Sequence, residues 1–171
     1  MRIPYVPDPP QPSTAEETQI VQRIQARRAP RPLQPLDLAL LHSPALADGW
    51  NSFLGAVRTQ TSLGDDLREL AISRVAVCNG AWYEWKHHAP LAAQAGVGKE
   101  ALDVVRTEGP LGRLSRPDVL TEKQWAVLVY TDEMTRNVHV SDETFGMLKA
   151  LFSDGEVVEI TGTVSSRVFF T

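Results

Sequence analysis

The chain has 171 residues, 43% hydrophobic and 22% charged, with 17 basic against 21 acidic side chains for a formal net charge of −4. That length and balance fit one domain of an ordinary globular protein, and the acidic sign without a dense basic cluster excludes a nucleic-acid track. The single cysteine, Cys78, excludes an internal disulfide and any multi-cysteine zinc site. No stretch approaches the roughly 18 uncharged apolar residues of a membrane span, and Met1-Arg2-Ile3-Pro4-Tyr5 lacks the apolar run of a secretory signal, so a soluble cytoplasmic protein is expected.

Residues 1–13 hold Pro4, Pro7, Pro9, Pro10 and Pro12, which cannot donate backbone hydrogen bonds and favour an extended arm. Ser13 or Thr14, followed by Glu16 and Glu17, predicts a helix start, and Pro30 and Pro32 stop that helix near Arg28. Its basic run, Arg23, Arg27, Arg28 and Arg31, reads as a solvated face. A proline-rich connector from Ala29 to Pro35 leads into a short helix with Leu36, Leu38, Leu40 and Leu41. Residues 1–35 are thus expected to form an arm with one helix, and residues 36–171 the main domain.

Ser43-Pro44 is a cap-plus-first-turn pair. The helix it opens carries Leu46, Trp50, Phe53, Leu54 and Val57 at spacings of three and four, which predicts one apolar stripe. After Ser62-Leu63-Gly64, acidic Asp65 and Asp66 start a helix whose Leu67, Leu70, Ala71, Arg74, Val75 and Cys78 recur with helical period. Ile72, Ala76 and Val77 widen its apolar surface, which predicts a central, buried helix. Asn79-Gly80 breaks the pattern; a helix then runs from about Ala81 to Ala95, with Gly96 as its C-terminal cap. Gly98 to Val105 is a short helix, and Glu108 to Pro117 a loop. Thr121, Ser141 and Asp154 open three more helices, the second with Phe145, Leu148 and Phe152 inward. Period-two alternation is missing, and the reading is all-α.

Chemistry concentrates around residues 69–88. Glu69 is acidic within an apolar helix, and Glu84 and His88, four apart, share a helix face. His87 and His88 point about 100° apart, so one of them faces a shared cavity. Trp82, Tyr83 and Trp85 are candidate aromatic walls. A carboxylate beside an imidazole is the minimum equipment for general acid–base work. On spacing alone, Glu84 and His88 read better as a surface pair worth a few tenths of a kcal/mol.

The run Leu67-Arg68-Glu69-Leu70-Ala71-Ile72-Ser73-Arg74-Val75-Ala76, with Gly80-Ala81-Trp82-Tyr83-Glu84-Trp85-Lys86-His87-His88-Ala89-Pro90-Leu91-Ala92, resembles the core of the carboxymuconolactone decarboxylase / AhpD-like superfamily. His42-Ser43-Pro44, Trp50-Asn51-Ser52-Phe53-Leu54 and Glu156-Val157-Val158-Glu159-Ile160 extend that resemblance over about residues 36–164. It implies an AhpD-like helical bundle, forming one domain and assembling as a homo-oligomer, a trimer or hexamer. In the peroxidase branch a glutamate precedes a CxxC pair and then a histidine. Glu69 and His88 match the outer positions here, while Ala81 and Glu84 stand where the cysteines would be. Without a thiolate and its resolving partner, thiol peroxidase chemistry has no equipment at those positions.

The decarboxylase branch carries glutamate and histidine at the positions of Glu84 and His88. The resemblance therefore implies a lyase or isomerase working on a small-molecule substrate by proton transfer, without metal or other cofactor. His88 would donate the proton, Glu84 would orient it or shuttle the proton, and Glu69 would act as relay. His87, Tyr83, Trp82, Trp85 and Arg74 would bind the substrate, with Arg58 a second candidate for a substrate carboxylate. The chain's end, Thr163 to Thr171, is shorter than the family's usual last helix, so the resemblance leads one to expect a departure in either the oligomer or the site. Two rival readings stand beside this one: a non-catalytic helical scaffold, and residual peroxide reduction through Cys78.

Overall fold

The computed structural model describes residues 3–168; residues 169–171, the end of the apolar tail singled out in the sequence, lie outside the described residues. These residues form helices and loops, with no strand among them. The helices are α1 (Ala15–Arg28), α2 (Pro35–Leu40), α3 (Pro44–Thr59), α4 (Asp65–Cys78), α5 (Trp82–Gln94), α6 (Lys99–Val105), α7 (Glu122–Asn137), α8 (Asp142–Leu151) and α9 (Asp154–Val168), with a 3₁₀ turn at Leu111–Arg113. They fall into two compact units, one up to Gln60 and one from Thr61 onward.

In the first unit, Ile20, Val21 and Ile24 of α1 pack with Leu41 and Ala47. Thr14 caps α1 by accepting from the Glu17 amide at 3.1 Å. The basic run divides: Arg23 and Arg31 are exposed as expected, while Arg27 and Arg28 are half-buried. Arg28 forks onto Asp37 at 2.8 and 2.9 Å, and Asp37 is buried at the start of α2, where it also accepts from the Gln34 amide. Arg23 pairs with Asp48, and Arg27 donates to Asn51. The stripe of α3 is rotated from the sequence expectation: Ala47, Leu54 and Val57 face inward, while Leu46 and Phe53 are exposed.

The second unit is organised on α4, which packs on α5, α6, α7 and α9. Every residue from Glu69 to Ala76 is buried, as expected of a helix with apolar side chains nearly all round. One core joins Leu67, Ala71 and Val75 to Ala126, Val127, Leu148, Phe152, Ile160 and Val164. Another joins Leu70 to Ala92, Val105, Leu111, Leu120 and Leu128. Phe145 is 45% exposed, against its predicted inward place; Thr144 takes that place, its hydroxyl donating to Glu133 at 2.8 Å. Helix starts follow the sequence: Thr121 and Gln124 form a reciprocal capping box, and Ser141 accepts from the Thr144 amide. Gly80 and Gly96 take φ of +65° and +95° after α4 and α5, the left-handed conformation that lets a helix end at low cost. The chain between them, α5, is held against α4 with its Glu84–His88 face available for the site.

Candidate active site

Three acid–base side chains meet in the second unit. Glu69 comes from the buried middle of α4, and Glu84 and His88 lie one turn apart on α5. The His88 Nδ1–H donates to Glu69 Oε2 at 2.6 Å. A carboxylate only accepts, so this bond fixes the proton on Nδ1 and turns Nε2 toward Glu84, whose Oε2 is 3.4 Å away. Two cations complete the row. Arg68 Nε lies 3.5 Å from Glu69 Oε1, and Arg167 Nη1 of α9 lies 3.5 Å from Glu84 Oε2. Arg68 also reaches Asp65 at 2.6 Å. The result is an alternating row, Arg68, Glu69, His88, Glu84, Arg167, drawn from three helices.

Burial grades along this row. The side chains of Glu69 and His88 are 9% and 6% exposed, and that of Glu84 is 27% exposed. Nε2 and Glu84 Oε2 are close enough for a proton to pass between them once the ring or the carboxyl carries one, and Glu84 is the more exposed end of that path.

The other sequence candidates lie apart from this row. His87 is exposed and donates from Nδ1 to the Tyr83 carbonyl at 2.8 Å, its ring 4.4 Å from that of Tyr83. Trp82 and Tyr83 are 56% and 68% exposed, so neither walls His88 within this chain. Trp85 packs against the second core, with the Arg106 guanidinium 5.7 Å over its ring. A groove of about 440 Å³ in the second unit, lined by Arg116, Glu122, Trp125, Met147, Ala150 and Leu151, includes none of the three acid–base residues.

Arg74 requires a correction. It is fully buried, with Nε and Nη2 on Asp132, Nη1 on the carbonyls of Val105 and Thr107, and Nη2 on that of Gly109. Those five contacts match the five N–H groups of a guanidinium, leaving none for a substrate carboxylate. Arg74 pins the segment after α6 to the core. Asp132 also accepts from Arg136 and the Leu111 amide. Burial pushes the Asp132 carboxyl up, but the hydrogen bonds from Arg136 and Arg74 outweigh it and hold the group below its ordinary range. Cys78 donates to the same carboxylate at 3.3 Å. Burial pushes its thiol up to about 11, with Asp132 adding and Arg74 opposing, the reverse of what a nucleophilic thiolate needs. Arg167 was missed in the sequence, where it sits in a segment read as tail. Its only signal was helical register: Ile160, Val164 and Arg167 recur at intervals of four and three on the inward face of α9.

Residues 44–110 match the carboxymuconolactone decarboxylase family. No curated protein sequence is similar enough to the chain to count as a relative. Among solved structures, the debrominase Bmp8 in complex with 2,3,4-tribromopyrrole superposes with a TM-score of 0.67 at 15% identity, covering 91% of this chain and 79% of that one. Its ligand-free form gives the same TM-score and identity, with 80% of that chain covered. The protein of unknown function ATU0492 from Agrobacterium tumefaciens, a candidate antioxidant defence protein AhpD, gives 0.61 at 21% identity over 75% of this chain and 85% of that one. The fold is thus that of the AhpD-like all-helical proteins. The family match is confined to residues 44–110, and what the described residues share with these solved structures is the fold. Among the described residues, no helix is long and apolar enough to cross a membrane.

Proposed function

We propose that this protein is a proton-transfer enzyme, a decarboxylase or related lyase or isomerase, acting on a small carboxylated or enolisable lactone-type substrate. The observation that carries the reading is the His88 imidazole held between Glu69 at 2.6 Å and Glu84 at 3.4 Å, with only the outer carboxylate open to solvent. Glu84 is the group that meets substrate, His88 is the relay that gives and takes its proton, and Glu69 holds the ring in one tautomer. Of the two roles the sequence left open for Glu84, shuttling suits its exposure better than orienting. For a vinylogous keto acid, the bond to the carboxylate carbon breaks and its electron pair passes into a dienolate as carbon dioxide leaves. Glu84 then delivers a proton to carbon and is recharged from His88 Nε2, the net proton coming from water. An isomerase uses the same groups, removing one carbon-bound proton and returning it elsewhere. This chemistry calls on no metal or other cofactor, and the family match over residues 44–110 supports it. The thiol reading finds no support in Cys78, whose thiol is held protonated.

The test is a panel of 4-carboxymuconolactone and simple enolisable lactones in D₂O, followed by proton NMR for carbon dioxide loss and for deuterium entering carbon. 2,3,4-Tribromopyrrole belongs on the panel as the ligand of a structural neighbour. Turnover or exchange is expected with the wild type. His88→Gln should slow it by about 10²–10⁴-fold, the usual worth of a positioned acid–base group, while the helical circular dichroism is retained. A variant as active as wild type sinks the assignment, and an inert wild type across the panel favours the scaffold reading.

A further inference from the structure

Arg167 has so far been given only a position. It sits near the end of α9, 83 residues from Glu84 in the chain, and its side chain is 9% exposed. Its Nη1 and His88 Nε2 address one and the same atom, Glu84 Oε2, at 3.5 and 3.4 Å. A glutamate on the outer part of a helix, 27% exposed, has solvent-facing rotamers that its own entropy and hydration favour. Something must hold it over the histidine. Arg68 cannot do so, because its contacts are to Asp65 and Glu69 at the other end of the row. We infer that Arg167 is the positioning residue that sets the Glu84 carboxylate against His88 Nε2, which makes α9 part of the active site. The inference rests on the relay reading of Glu84 and His88.

Among the described residues of the second unit, the charged groups at the row are Glu69 and Arg68 from α4, Glu84 from α5 and Arg167 from α9. Removing Arg167 has two opposite consequences for the imidazole. Loss of a nearby positive charge alone makes the imidazolium easier to form and moves its titration midpoint up. Release of Glu84 takes an anion away and moves the midpoint down. Only a positioning residue lowers it.

The experiment is a pH titration of the ¹⁵N-labelled full chain, with the His88 ring nitrogens assigned by their loss in His88→Gln. Glu84→Gln should lower the midpoint, and Arg167→Gln should lower it too, by about half a unit or more. In the Glu84→Gln background, Arg167→Gln should lower it no further. Arg167→Met, which fills the same buried stem volume, carries the comparison if Arg167→Gln does not fold. A midpoint that rises or stays in place when Arg167 is replaced overturns the inference. Because the titration needs no substrate, an inactive panel would sink the reaction and leave this tether standing, while a rising midpoint would sink the tether and leave the reaction.

Discussion

Replacing Asp132 by Asn removes one charge from the most buried ion pair of the second unit and almost nothing of its shape. Arg74 is 0% and Asp132 1% exposed, so the guanidinium that remains has lost its counter-charge in a place water does not reach. Its bonds to the carbonyls of Val105, Thr107 and Gly109 survive, but neutral acceptors do not balance a cation. Breaking one side of a buried pair typically costs about 3–5 kcal/mol. Set against a usual domain stability of about 5–15 kcal/mol, that is a large part of the whole. At roughly 2–4 °C per kcal/mol for a chain of this size, Asp132→Asn should melt about 6–20 °C lower. The assay is urea unfolding followed by circular dichroism at neutral pH and again in acid. The folded Asp132 carboxyl lies below its unfolded value of about 3.9. Its stabilisation is therefore fully present above that value, and it is lost as pH falls from there through the folded-state value. The gap between wild type and variant should narrow over that acid range. A variant within about 1 kcal/mol of wild type at pH 7, or a gap that does not close in acid, would refute the account of Arg74 as a structural cation.

Glu69→Gln should keep the fold and lower turnover, by up to about 10²-fold, because the charge that supports the imidazolium is gone while a hydrogen-bonding group remains; activity equal to wild type would show that the short bond to His88 does no catalytic work. Cys78 should react with iodoacetamide at pH 8 far more slowly than an unfolded-chain thiol, since a thiol pushed up to about 11 is almost wholly protonated there; fast labelling of the folded protein would contradict its burial. Val138 ends α7 at φ +52° and is almost fully exposed, a conformation costly for a β-branched residue. Val138→Gly should therefore raise stability by about 1 kcal/mol, and a fall in melting temperature would count against that.

Much of the helical layout is legible from short-range chemistry. Thr14, Thr121 and Ser141 cap the helices they were expected to open, and Gly96 takes the positive φ expected of a helix terminator. The apolar girth of 67–77 made α4 the central helix. These features are local: a hydroxyl three residues from an orphan amide, or a residue without a Cβ where the backbone must turn over, acts within its own turn. Facing was less legible. Phe145 and Phe53 satisfy helical spacing as well as Leu148 and Leu54 do, yet they are exposed, because a stripe says that a face is covered and leaves open how far around the helix the cover extends.

For the candidate site, the sequence by itself determined that Glu84 and His88 share one side of α5, since residues four apart must, and that His87 and His88 point about 100° apart. It also drew Glu69 into view as an acid in an apolar helix. Only the tertiary structure decided that Glu69 reaches His88 Nδ1, that Arg167 reaches Glu84, and that Arg74 is spent on Asp132 and three carbonyls. Those partners lie 19, 83 and 31–58 residues apart. No periodicity spans such separations, because which charge meets which depends on how α4, α5, α7 and α9 cross, and that is settled by the packing of their apolar faces. The charges then take the partners that packing has left within reach.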